Sequence, residues 1–164
     1  MKQKTPLPYY SVKPDFVLGY HHEGDAGLDL PIWDEKLTNG ELGTEGYIDL
    51  LPGQAVMLKT GIHLAMPEDK YGLLDSRSGT SKLRLDLLCR TIDSTYRGNI
   101  RVSFVNHNTE TVRIKNGDEL FQIIIVPYET AEATGYDSLD EFLAVAGNTA
   151  RGEEGFGSKE RKNG

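Results

Sequence analysis

Apolar and polar residues alternate with a period of two along much of this chain. Ile100, Val102 and Phe104 share one face of a segment whose other face carries Arg101 and Ser103. A broken alternation runs from 55 to 66 through Val56, Leu58, Ile62 and Leu64, with Gly61 as the break. Pro52-Gly53 precedes it and Pro67-Glu68-Asp69 follows it. Shorter apolar stretches lie at 71–74, 111–114 and 120–126, the last two parted by Asn116-Gly117-Asp118. A period of two sends successive side chains to opposite faces of a strand. Short strands punctuated this often by Gly, Pro, Asn and Asp predict an all-β sandwich or barrel.

The run Phe121-Gln122-Ile123-Ile124-Ile125-Val126 is apolar except for Gln122 and predicts a strand buried on both faces. Gln122 needs a partner there, because an unpaired buried amide costs about 1–3 kcal/mol. A structural bridge and a pocket-facing amide both satisfy that need. Helical signal is sparse. Ser138 as N-cap, Glu141 at the capping-box position and Gly147 as a stop predict one helix of about two turns. A second short turn is expected after Gly79. No internal repeat and no linker divides the chain.

Charge and cysteine content narrow the class. At 164 residues the chain suits one domain, and its net charge of −7 argues against a long polyanion such as DNA or RNA. A small nucleotide in a local basic pocket remains compatible. Cys89 is the single cysteine, so neither an intrachain disulfide nor a cysteine-rich zinc site can form. No apolar run approaches the ~18 residues of a membrane span, and the N-terminal residues lack the apolar core of a signal peptide. A soluble cytoplasmic protein is expected, with no membrane and no nucleic acid among its partners.

Four segments carry candidate chemistry. Ala26-Gly27-Leu28-Asp29-Leu30 sets one carboxylate between apolar neighbours, where Asp29 caps a turn or faces a cation. Asp75-Ser76-Arg77-Ser78-Gly79-Thr80-Ser81 joins hydroxyls, an Arg and a Gly after an apolar strand. A short helix opening at Thr80 and Ser81 would turn free N–H groups toward an anion. Thr91-Ile92-Asp93-Ser94-Thr95-Tyr96-Arg97-Gly98-Asn99 fits a hairpin with an Asx-turn, or a site where Asp93 deprotonates a water. Arg151-Gly152-Glu153-Glu154-Gly155-Phe156-Gly157-Ser158 offers glycine backbone, a guanidinium and one aromatic face. It fits a mobile arm closing over a phosphorylated, ring-bearing ligand, or a loose tail. His21, His22, His63 and His107 show no metal-ligand spacing.

Taken in order, these pieces resemble the homotrimeric dUTP pyrophosphatase (dUTPase) family. Its five motifs match residues 26–30, 77–79, 92–98, 117–123 and 151–158. The segment between the fourth and fifth motifs is similar to that of phage-type and Gram-positive members. The resemblance implies a distorted β jelly roll over residues 1–147, with residues 148–164 as a flexible arm. It implies a homotrimer whose arm closes on a site formed by other subunits. Asp93 then matches the catalytic aspartate, which activates a water for attack on the α-phosphorus of dUTP, leaving dUMP and pyrophosphate. Thr91, Ile92 and Tyr96 match the substrate-binding hairpin, Tyr96 packing under the deoxyribose. Arg77, Ser78 and Gly79 match the phosphate-holding segment, and Gln122 matches the amide that reaches the phosphate chain. Phe156 matches the aromatic that stacks on uracil, and Arg151, Gly157 and Ser158 the grip on the β- and γ-phosphates. Mg²⁺ is implied as cofactor, held by triphosphate and water, with Asp29 touching only its water shell.

The chain departs from the family pattern at several positions. Leu87-Leu88-Cys89-Arg90 replaces an Asn-Gly-x-Gly-like turn that reads the uracil edge. Thr95 stands where a second Asp is frequent, Glu154 where the arm has a glycine, and Glu119 where Arg follows Gly-Asp. The Glu119 exchange is expected to remove a structural ion pair. Rival readings are a related deoxynucleotide triphosphatase, a dCTP deaminase-branch enzyme, or a non-catalytic regulatory protein on the same fold.

Overall fold

The computed structural model describes residues 5–13, 15–37, 46–147, 149, 150 and 152. Eleven strands lie among them: β1 (Tyr9–Ser11), β2 (Gly27–Leu30), β3 (Tyr47–Leu50), β4 (Ala55–Lys59), β5 (Ile62–Leu64), β6 (Lys70–Ser76), β7 (Leu85–Leu87), β8 (Thr91–Ile92), β9 (Arg101–Asn106), β10 (Val112–Lys115) and β11 (Phe121–Pro127). They form a four-stranded sheet ordered β2-β11-β6-β8, a three-stranded sheet ordered β4-β9-β7, and the pairs β1-β5 and β10-β3. Every pairing is antiparallel. The architecture is the expected all-β, distorted jelly roll. The chain divides into two compact units, Met1–Glu129 and Thr130–Gly164.

The alternation read in the sequence becomes the core of the first unit. Val102 and Phe104 of β9 are fully buried while Arg101 is exposed. Phe104 meets Phe121 of β11 with ring centroids 5.0 Å apart. Leu30, Leu58, Ile62, Leu74, Ile100, Ile114 and Ile123 close around them. Asn106 continues the buried phase of β9 and is fully satisfied there. Its Nδ2 donates to the carbonyls of Leu50 and Glu110 at 2.8 and 2.9 Å, and its Oδ1 accepts from the Asn108 N–H. These bonds tie the end of β3 to the β9–β10 connection.

The β10-β3 pair is wetter. Arg113 forks onto Asp49, its cross-strand neighbour, with bonds of 2.7 and 2.8 Å, and its guanidinium lies 3.8 Å from the Tyr47 ring centroid. The bond from Arg113 holds the Asp49 carboxyl below its ordinary value.

One strand departs from expectation. β11 is central, yet Gln122, Ile124, Ile125 and Val126 are only half-buried. Its second face is incompletely covered by the described residues of one chain. The break at Gly61 splits the 55–66 stretch into β4 and β5. Gly61 sits at φ 73°, and a Cβ there would meet Trp33 at 3.0 Å. A turn with positive φ and no side chain is the arrangement only glycine takes without strain.

In the second unit, the predicted helix α1 spans Leu139–Ala146. The Ser138 hydroxyl accepts from the Glu141 N–H at 3.2 Å, and Gly147 ends the helix at φ 75°. Both caps are those the sequence signals.

Candidate nucleotide site

Two groups of predicted site residues form, at opposite ends of β6. The first gathers where β2, β11 and the end of β6 meet. The antiparallel register sets Gln122 of β11 opposite Asp29 of β2 on one side and Asp75 of β6 on the other. β6 then leads directly into Arg77 and a 3-10 turn, Ser78–Leu83. That turn begins two residues earlier than the expected opening at Thr80. Arg77 Nη2 lies 2.9 Å from Asp29 Oδ2, so Asp29 faces a cation rather than capping a turn. Arg77 Nη1 donates to the carbonyl of Glu119 at 2.9 Å and to its Oε2 at 3.1 Å. Glu119 thus makes an ion pair of its own with Arg77.

Gln122 is held by a bond and by a vacancy. Its Nε2 donates to the Ser76 carbonyl at 3.2 Å. Its Oε1 occupies the space that a side chain at Gly27 would need: a Cβ there would come within 2.1 Å. Gly79 contrasts with Gly27. It has open space where a Cβ would stand and no positive φ, so neither packing nor backbone requires a glycine. Arg77, Ser78, Gly79 and Glu119 line a shallow cavity of about 320 Å³.

The second group is the turn after β8. Thr91 and Ile92 pair with Leu73 and Gly72 of β6. Asp93 follows, exposed, and its carbonyl accepts from the Tyr96 N–H at 3.1 Å to close a turn. The Asp93 carboxylate has no hydrogen-bond partner among the described residues and is open to solvent. Tyr96 donates its hydroxyl to the Asn99 carbonyl at 2.9 Å, and its ring lies over Gly98. A Cβ on Gly98 would reach Tyr96 Oη at 2.3 Å. Arg97 donates to the Ser94 and Tyr96 carbonyls, bracing the same turn.

Ile92 is paired at Gly72, while Arg77 follows five residues further along β6. At about 3.3 Å per residue, the two groups stand roughly 17 Å apart along the strand. Within one chain the strand register thus keeps the turn at Asp93 apart from Arg77. Arg151, Phe156, Gly157 and Ser158 lie outside the described residues.

Three residues that shape these two groups were not among the predicted site residues. Gly27 and Gly98 act by lacking a side chain, and Glu119 acts by grasping Arg77. The two glycines do carry a sequence signal, since each sits inside a motif beside the residue it accommodates or one strand away from it. The Leu87–Arg90 stretch is tied into the sheets. Leu87 pairs with Phe104, the Leu88 N–H donates to the Ser103 carbonyl at 2.8 Å, and the Arg90 carbonyl accepts from Leu74 at 2.7 Å. The Arg90 side chain meets Asp75 at 2.9 Å and Asp86 at 3.6 Å. No cluster of three or more His, Cys, Asp or Glu that could hold a metal occurs among the described residues. No helix among them is long and apolar enough to cross a membrane.

The dUTPase family model matches residues 17–159. A deoxyuridine 5'-triphosphate nucleotidohydrolase of Mycolicibacterium gilvum is 33% identical over 159 residues, covering 94% of this chain and 94% of that protein. One of the same description from Escherichia phage T5 is 33% identical over 156 residues, covering 91% and 95%. Among solved structures, a mutant of the Staphylococcus bacteriophage 80alpha dUTPase with dUpNHpp shares the fold at TM-score 0.72 and 24% identity, covering 94% of this chain and 98% of that one. The dUTPase from phage phi11 of S. aureus gives TM-score 0.66 at 25% identity, covering 84% and 100%. With its motifs in order, its jelly roll and a match across most of its length, the chain belongs to the dUTPase family.

Proposed function

We propose that this protein hydrolyses dUTP to dUMP and pyrophosphate in a homotrimer, with Asp93 activating the water that attacks the α-phosphorus. The observation that carries this reading is the division into two half-sites. Arg77, Ser78, Gly79 and Gln122 form a phosphate-handling group at one end of β6, and Asp93 with Tyr96 forms a reacting group at the other. In a homotrimer, the phosphate-handling group of one copy can meet the turn of another. The half-covered face of β11 leaves apolar surface for such an assembly. The dUTPase relatives, one of them in complex with dUpNHpp, support the substrate.

The residues act as follows. Arg77 offers a planar guanidinium to phosphate oxygens. Gly79, free of a side chain that the fold would accept, lets the phosphates approach backbone N–H groups. Gln122, kept in place by Ser76 and by the space over Gly27, reaches the phosphate chain. The solvent-open Asp93 carboxylate orients a water and takes its proton. The Tyr96 ring, fixed by its bond to Asn99, supports the deoxyribose. Arg151, Gly157 and Ser158 grip the outer phosphates, and Phe156 covers the base.

The donor set fits Mg²⁺ carried in by the nucleotide. The described residues hold no metal cluster of their own, and Asp29 spends one oxygen on Arg77, leaving a hard carboxylate oxygen for the ion's water shell. When bound, Mg²⁺ neutralises the charge that develops on the phosphate chain. The exposed free thiol of Cys89 fits a reducing, cytoplasmic setting.

Asp93→Asn tests the reading. It is expected to retain binding of a non-hydrolysable dUTP analogue and to lose about 10²–10⁴-fold in turnover. Undiminished turnover would overturn the role given to Asp93. Because Leu87–Arg90 is committed to sheet contacts, base selectivity is measured alongside with dUTP, dCTP, dTTP and UTP. Fast loss of another nucleotide beside slow loss of dUTP would favour the related triphosphatase.

A further inference from the structure

We propose that Glu119 is a positioning residue for substrate binding, acting through Arg77; the inference rests on the phosphate-binding reading of that arginine. Arg77 is anchored at both backbone and side chain by the segment leading into β11. Its N–H donates to the Leu120 carbonyl at 3.4 Å, and its Nη1 donates to both the carbonyl and the Oε2 of Glu119. Both hydrogen bonds fall on Nη1. Nη2 is shared with Asp29, and Nε makes no hydrogen bond to a described residue. The guanidinium is thereby held through Nη1 and Nη2, beside a cavity that Arg77 and Glu119 both line.

This arrangement has a functional consequence. An arginine side chain is long and rotamer-rich, and fixing it before binding removes an ordering cost from the binding step. Asp29 on Nη2 and the residue-119 carbonyl on Nη1 set the plane of the guanidinium, and the Glu119 carboxylate adds a charge-assisted bond that strengthens the Nη1 anchor. Its carboxylate is about two-fifths exposed, so it is not a core element whose loss would unfold the chain.

The test compares Glu119→Ala and Glu119→Gln in steady-state dUTP hydrolysis, alone and in an Arg77→Ala background, with melting curves for each. Glu119→Ala is expected to raise KM about 5- to 20-fold with kcat within about twofold, the scale of one charge-assisted hydrogen bond. Glu119→Gln keeps an oxygen acceptor and is expected to stay within about threefold of wild type, the remaining amide bond being the weaker neutral kind. In the Arg77→Ala background neither change is expected to add to the loss, since both act through the missing guanidinium. An unchanged KM in Glu119→Ala would overturn the proposal. So would a lowered KM in both variants, which would make Glu119 a competitor of phosphate, or additive losses in the double variants. Wild-type turnover of dUTP, measured in the same series, tests the underlying reading separately.

Discussion

Gly27→Ala adds one methyl group to β2 and strikes first at Gln122. The new Cβ would lie 2.1 Å from Oε1, 2.6 Å from Cδ and 2.9 Å from Cγ of Gln122. Carbon contacts settle near 3.5–4.0 Å, so three side-chain atoms are too close and the amide must swing away. The obstacle is a side chain and not backbone, so the strand pairing survives. The structural loss is then the bond to the Ser76 carbonyl, about 0.5–1.5 kcal/mol. For a chain of this size that lowers the melting temperature by only a few degrees, about 2–4 °C per kcal/mol. The functional loss is larger. A hydrogen bond from the amide to a charged phosphate oxygen is worth about 1.5–3 kcal/mol, which is about 10- to 150-fold in KM. The assay is dUTP hydrolysis at saturating Mg²⁺ together with a thermal melt. A second arm combines Gly27→Ala with Gln122→Ala: if both changes act through one amide, the double variant is no worse than Gln122→Ala. A folded Gly27→Ala protein with wild-type KM would refute the claim that this vacancy positions the amide for substrate.

Gly79→Ala should behave in the opposite sense on stability: the site has room and an ordinary φ, so stability is expected to stay level or rise by about 0.4–1 kcal/mol, while KM rises; an unaltered KM would remove Gly79 from the phosphate site. Gly72→Ala should cost stability, because its Cβ would meet Ile123 Cδ1 at 2.5 Å in the core and Ile92 Cβ at 3.3 Å; about 1–3 kcal/mol of lost stability is expected in denaturant unfolding, and a neutral result would contradict the packing. Asp49 is held ionised by the bond from Arg113, so its contribution to stability is complete above the ordinary aspartate range and disappears as pH falls through the lowered value. A carboxyl-carbon NMR titration should place its midpoint low and return it to the ordinary range in Arg113→Gln; an unmoved midpoint would contradict the pairing. Ser138→Ala removes the cap of α1 and should cost that helix about 1 kcal/mol, read as faster amide exchange at Glu141 and its neighbours.

Much of this protein is determined by local chemistry and is legible in its sequence. The alternation of Ile100, Val102 and Phe104 specifies a buried face because a strand has a period of two. Ser138, Glu141 and Gly147 specify the two ends of α1 because caps are local backbone requirements. The shortest strands escaped that reading. β1, β7 and β8 have two or three residues each, too few for a period to show, and they exist because a neighbour supplies a ladder. Gln122 was ambiguous for the same reason: its partner, the Ser76 carbonyl, lies 46 positions away in the chain.

Tertiary structure alone decided how the site is divided. The motifs name Asp29, Arg77, Asp93 and Gln122 as one constellation, but motif order carries no distance. The antiparallel register of β6 with β8 and β11 sends Arg77, Asp29 and Gln122 to one end of a strand and Asp93 to the other. The same register makes Glu119 a ligand of Arg77, which no rule of spacing foretells, since an ion pair across 42 positions depends on which strands lie side by side.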